Sequence, residues 1–156
     1  MVSELRVDKI HNEGGDNDSG IDLSTNDQIV LKTANTTRLT MNATGQTTIV
    51  GEGGTNTTNL QQGIAKSWVL GTNSAGLTDS FNVSGGTDNG TGDYSYAVST
   101  NFGNANFSAV PTGAEDNTRI AWNKVRATSS YRISFADNNG TAQDAANAVT
   151  VHGDLA

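Results

Sequence analysis

Side chains able to do chemistry are few and widely spaced in this 156-residue chain. The two histidines, His11 and His152, lie near opposite ends, and neither belongs to a Ser/His/Asp or Cys/His arrangement. The absence of cysteine removes thiolate nucleophiles, zinc–thiolate sites and disulfides together, and leaves the redox compartment unreadable. Asp88 with Asp93, Glu115 with Asp116, and Asp137 with Asp144 form carboxylate pairs of the kind glycosidases use. Their neighbours are Gly and Asn in loop-like, water-exposed contexts, so ordinary carboxylate acidity is expected. No catalytic residue and no enzymatic activity are expected.

Metal and cofactor signals are equally thin. Asp16-Asn17-Asp18-Ser19-Gly20-Ile21-Asp22 places oxygen ligands at alternate positions, as calcium loops do. Its glycine stands fifth instead of sixth and no bidentate Glu closes the loop, so it reads as a solvated turn. His152 could gather three imidazoles on a threefold axis, but one His per chain without an adjacent ligand makes a poor site. Gly85-Gly86 lacks the strand-to-helix context and the Lys of a phosphate cradle. No metal and no cofactor are expected. The sequons at Asn35 and Asn82 are what so Asn- and Thr-rich a chain produces by chance. Trp68, Trp122, Tyr94, Tyr96 and Tyr131 could stack on sugar rings. All five stand in alternating strand patterns, however, which favours packing in a core or between subunits.

Hydrophobic residues make up 34% and charged residues 16% of the chain, against roughly 45–50% (counted with Gly) and 25% in ordinary domains. Eighteen glycines and an excess of Thr, Asn and Ser fill the gap. A disordered polyampholyte needs more charge, and a coiled coil needs heptads. A net charge of −7 with scattered Lys and Arg argues against a nucleic-acid partner. The longest apolar runs, Ile29-Val30-Leu31 and Trp68-Val69-Leu70, are too short for membrane insertion, and the N-terminus shows no apolar signal segment.

Thr suits a pleated surface, while Asn, Gly and Ser suit tight turns. The best helical stretch, residues 141–148, is short and has no broad apolar face. The fold class expected is all-β. From residue 21 to 50 the apolar residues come in thin period-2 pairs, Ile21/Leu23, Ile29/Leu31 and Leu39/Met41, followed by Ile49. Turns at 25–27, 34–36 and 43–45 separate them, which is a degenerate repeat of very short strands. Two aliphatics per strand, at about 25 cal/mol per Å² buried, cannot offset an ordering cost of about 1–2 kcal/mol per residue. The segment needs copies of itself: an intertwined trimeric β stalk with Ile21, Leu23, Ile29, Leu31, Leu39, Met41 and Ile49 as its core.

Residues 51–59 contain no apolar side chain and read as a joint. Beyond it the strands are denser: Ile64/Trp68/Leu70, Phe81/Val83, Tyr94/Tyr96/Val98, Phe107/Ala109, Ile120/Trp122, Tyr131/Ile133/Phe135 and Val149/Val151. Asn89-Gly90 within residues 85–92, and Asn139-Gly140 within 137–140, read as hairpin loops. Strands at this spacing predict an antiparallel β-sandwich head. The organisation expected is a segment 1–20, a stalk and linker 21–59, and a head 60–156.

Four blocks in order carry a resemblance: residues 61–69, 79–84 with 87–94, 104–110, and Tyr131-Arg132-Ile133-Ser134-Phe135 through Val149-Thr150-Val151-His152-Gly153. Together they resemble the C-terminal module of tail-fibre-like proteins of marine tailed bacteriophages. Ser3-Glu4-Leu5-Arg6-Val7-Asp8-Lys9-Ile10 is similar to the opening of many such proteins, where it is the virion-attached end. The resemblance implies a homotrimer located in the virion. Glu4, Leu5, Arg6, Val7, Asp8, Lys9 and Ile10 would anchor it to another virion protein, and an outward head would contact a host-surface glycan. The chain is shorter than most fibres of this kind. A short tail fibre and a capsid decoration or head fibre with a structural role both fit that brevity.

Overall fold

The computed structural model describes residues 6–14, 18–113 and 120–153. Its sheets are antiparallel throughout, and the one helix among the described residues, α1 (Leu60–Gly63), is a single turn. No such helix is long and apolar enough to cross a membrane. The contacts divide the chain into two compact units, Met1–Gln61 and Gln62–Ala156.

The first unit is one six-stranded meander. Its strands are β1 (Lys9–His11), β2 (Gly20–Asp22), β3 (Ile29–Thr33), β4 (Thr36–Met41), β5 (Thr47–Val50) and β6 (Thr57–Asn59), each paired with the next. The turns form where the sequence supplies turn chemistry. Ala34 and Asn35 both take positive φ (50° and 55°), the backbone of a two-residue hairpin loop. Asn42 Oδ1 accepts from the N–H groups of Thr44 and Gln46 at 3.2 and 3.0 Å, closing the β4–β5 turn. The Gln61 side chain accepts from the Thr47 N–H at 2.8 Å and donates to the Gly45 carbonyl at 2.7 Å.

Two sequence expectations change in this unit. The apolar-free joint at 51–59 is only a turn at 51–56, because Thr57–Asn59 pairs with β5 as β6. Threonine needs no apolar neighbour to add an edge strand once a ladder is offered. The segment 1–20 does not stand apart either, since β1 is a strand of the same sheet.

The second unit holds two four-stranded sheets. The strands are β7 (Ala65–Gly71), β8 (Leu77–Phe81), β9 (Gly85–Asp88), β10 (Asp93–Ala97), β11 (Phe107–Gly113), β12 (Ile120–Ala127), β13 (Ser130–Ala136) and β14 (Asn147–Gly153), in the orders β12-β13-β10-β9 and β11-β14-β7-β8. Both sheets feed one core, in which Tyr94, Tyr96, Tyr131, Ile133 and Phe135 from the first meet Val69, Phe107, Val149 and Val151 from the second. Each such side chain contributes about 1.5–3 kcal/mol on burial. Tyr94 lies against Phe135 and Tyr96 against Tyr131, with tilted rings at 6.0 and 5.8 Å.

Three expectations are corrected here. In β7 the buried parity is Ser67, Val69 and Gly71, so Trp68 and Leu70 face outward with Ile64 and Phe81. A small-residue parity wins the core side because Gly71 must admit the Tyr96 hydroxyl, against which any Cβ would collide. Ile120 and Trp122 are also exposed, on the outer face of edge strand β12. Gly85–Asp88 is strand β9 and not loop; only residues 89–92 turn, with the Asn89 N–H donating to the Asp93 carbonyl.

Candidate functional site

Three surface features of the described residues stand out, one on the first unit and two on the second. On the first unit, the register places Ile10 opposite Ile21, Ile21 opposite Leu31, Leu31 opposite Leu39, and Leu39 opposite Ile49. Opposed residues share a sheet face, so these five form one apolar row across five strands. Ile29 opposite Met41 adds a second row on the same face, while Leu23 lies just past the end of β2. Leu31 remains 39% exposed, and Ile10, Ile29 and Met41 are exposed too. The other face is mainly polar: Asp22 is held by Lys32 at 2.6 Å and Lys9 at 3.9 Å, and Thr40 and Thr48 continue the row, with the buried Val30 standing between Asp22 and Thr40. Lys32 and the Ser24 donors push the Asp22 carboxyl well below the usual range. Six of the seven residues expected in the stalk core, Ile21, Ile29, Leu31, Leu39, Met41 and Ile49, therefore stand on one face, and Leu23 falls just outside the strand ladder. Ile10 joins them, although its sequence context groups it with the N-terminal motif.

On the second unit, Trp122 and Asp93 both stand opposite Ser134, giving an outer row across β12, β13 and β10. Arg132 grips Asp93 with two bonds, Nε to Oδ1 at 2.6 Å and a guanidinium N–H to Oδ2 at 2.7 Å. Lys124 adds a third at 2.5 Å. The Lys124 contact depends on a bulge: Asn123 faces Ile133 and Val125 faces Arg132, so Lys124 is the extra residue. Arg132 first, then Lys124, hold the Asp93 carboxyl below its ordinary value. The expectation of ordinary acidity for Asp93 thus fails, because folding brings two cations from β12 and β13 that no local reading places there.

Beside this row lies a cavity of about 190 Å³ lined by Trp122, Lys124, Asp93, Ser134 and the backbone of Gly92 and Gly140. Gly92 has φ +65°, and a Cβ there would collide with the carbonyls of Phe135 and Gln143. Its N–H donates to Asp144 Oδ1 at 2.7 Å. Ser134 is only 4% exposed, and its Oγ has no hydrogen-bond partner among the described residues.

The outer face of the other sheet carries a third feature, with Val110 opposite Thr150, Thr150 opposite Trp68, and Trp68 opposite Phe81. An open cavity of about 540 Å³ adjoins it, with Ile64, Phe81 and Phe102 on its walls. Asn82, at φ 55°, fixes one side: its Nδ2 donates to the carbonyls of Lys66 and Thr100, and its Oδ1 accepts from the Thr100 N–H.

The remaining sequence candidates scatter. Asp137 caps its own turn by accepting from the N–H groups of Asn139 and Thr141, and Asp144 accepts from Gly92. Asp88 accepts from the Gly90 N–H. His152 lies on β14 opposite Ser108, and His11 lies on β1. Glu4, Leu5, Asp16, Asn17, Glu115 and Asp116 lie outside the described residues, while Arg6, Val7 and Asp8 lead exposed into β1. No group of three or more metal-ligating side chains occurs among the described residues. The Trp122–Ser134–Asp93 row escapes sequence reading, because register and a bulge create it, and the alternation around Trp122 pointed to packing instead.

A scan against protein-family models, a search of curated proteins and a search of solved structures find no match to this chain.

Proposed function

We propose that this chain is a structural protein of a phage virion: a homotrimeric short fibre with a β stalk and an outward β-sandwich head. The observation that carries the reading is the uncovered apolar row Ile10–Ile21–Leu31–Leu39–Ile49 on a single-layer sheet. Among the described residues, no second sheet of its own unit covers this layer, and contiguous exposed apolar surface of this kind marks an association site. Copies closing about a common axis bury these rows and leave the Asp22–Lys32 face in water. The number three follows from the fibre resemblance, as do the virion docking partner at residues 4–10 and the glycan contact of the head. The sparse supply of acid–base and nucleophilic groups fits a structural and adhesive role.

Light scattering on the purified full chain tests the assembly. A mass of three times 16.2 kDa is expected. Leu31→Asp and Leu39→Asp should each disperse it to monomers, while Thr40→Asp on the opposite face should leave it intact. A trimer that survives both leucine changes refutes the buried row. Electron microscopy of the particle then reads the attachment: density on the tail identifies a tail fibre, and density on the shell identifies a head fibre.

A further inference from the structure

We infer that the cavity beside Trp122 is a saccharide subsite that takes one neutral pyranose ring. The inference rests on the adhesive reading of the head and gives it a location. An indole 43% exposed on the outer face of an edge strand offers a flat apolar surface with a polar edge, the shape that the C–H face of a sugar stacks on. The same cavity holds polar groups that a packing role leaves unexplained. Lys124 spends one of its three donors on Asp93, and the bulge that aims it there is a device found beside functional sites. Ser134, on the cavity lining and directly opposite Trp122, carries a buried hydroxyl with no hydrogen-bond partner among the described residues, the kind of group a bound ligand would satisfy. Gly92 and Gly140 contribute bare backbone to the lining, and at Gly140 a Cβ would meet only open space.

Size and charge narrow the ligand. About 190 Å³ is below the roughly 300–1,000 Å³ of drug-sized pockets, which fits one ring and not an enclosed oligosaccharide. The charged residues on the lining, Asp93 and Lys124, are paired with each other at 2.5 Å, so the cavity offers no uncompensated charge of its own to recognise a uronate or other acidic sugar.

The test is a titration of the full chain in a Trp68→Phe background, so that indole fluorescence reports Trp122 alone. Methyl glucoside, methyl galactoside, methyl mannoside and glucuronate serve as probes, with saturation-transfer NMR as a second readout. Saturable binding of a neutral glycoside is expected, weakened at least tenfold by Trp122→Ala (read by NMR) and about threefold or more by Ser134→Ala. Both variants should keep the native thermal midpoint to within a few degrees. A neutral sugar that binds with both variants unaffected refutes this site and leaves an adhesive head standing. Glucuronate as the only binder overturns the neutral assignment. No binding to any probe overturns the subsite, while the trimer measurement above still decides the fibre separately.

Discussion

The Tyr96 hydroxyl donates to Asn147 Oδ1 at 2.9 Å, tying β10 of one sheet to β14 of the other inside the core of the second unit. Asn147 is 1% exposed and donates onward to the carbonyls of Ala145 at 3.2 Å and Thr72 at 3.5 Å. Buried amides of this kind stabilise only when their capacity is met. Tyr96→Phe removes the one donor that Asn147 Oδ1 has there and keeps the ring in place. It should cost about 1–3 kcal/mol, the penalty for an unsatisfied buried acceptor. Chemical denaturation of the full chain followed by tryptophan fluorescence measures it. A loss below a few tenths of a kcal/mol would mean that water or a side-chain shift satisfies Asn147.

The buried phenols also make the second unit sensitive to alkali. Burial raises the Tyr94 hydroxyl to about 12 and the Tyr131 hydroxyl to about 12. Tyr96 moves in the same direction for the same reason. Folded values above the unfolded value of about 10 mean that the native state holds these protons more tightly. Their stabilisation is therefore complete below pH 10 and is lost as pH rises from about 10 through about 12. Unfolding monitored by near-ultraviolet circular dichroism should set in across that window, together with phenolate absorbance. Phenolate absorbance that develops fully near pH 10 with the near-ultraviolet signal intact would show that the three rings are open to solvent.

Much of this architecture was legible from periodicity, and the failures have local physical causes. In the first unit the period-2 spacing named the face on which Leu31 and Leu39 stand opposite each other, whereas Val30, between Ile29 and Leu31, has the other parity and is buried on the opposite face. In the second unit β7 offers two candidate parities, Trp68/Leu70 and Ser67/Val69/Gly71. Hydrophobicity favours the first, yet the second is buried because Tyr96 and Asn147 need the space above Gly71 and the Ser67 hydroxyl lies 3.4 Å from that of Tyr131. Volume complementarity across two sheets is a tertiary property that one strand's sequence does not carry. The candidate subsite was hidden for a related reason. Asp93, Lys124 and Arg132 are separated by 31 and 39 positions along the chain from Asp93, and only strand register brings them together.

The β3–β4 hairpin stores strain in one residue. Ala34 takes φ 50° and Asn35 φ 55°. Asparagine enters the left-handed region readily, whereas a Cβ-bearing alanine pays about 1 kcal/mol there. The turn cannot relax, because the Asn35 N–H donates to the Asp18 carbonyl at 2.8 Å and the Thr36 hydroxyl to the Ala34 carbonyl at 3.1 Å. Ala34→Asn should therefore stabilise the first unit by about 0.5 kcal/mol, and Ala34→Val should destabilise it by about 1 kcal/mol or more. Neither change touches the apolar row, so the assembly state should hold while the thermal midpoint moves up for asparagine and down for valine. Equal midpoints for the two variants would show that the hairpin frays before the sheet melts and contributes nothing to the measured transition.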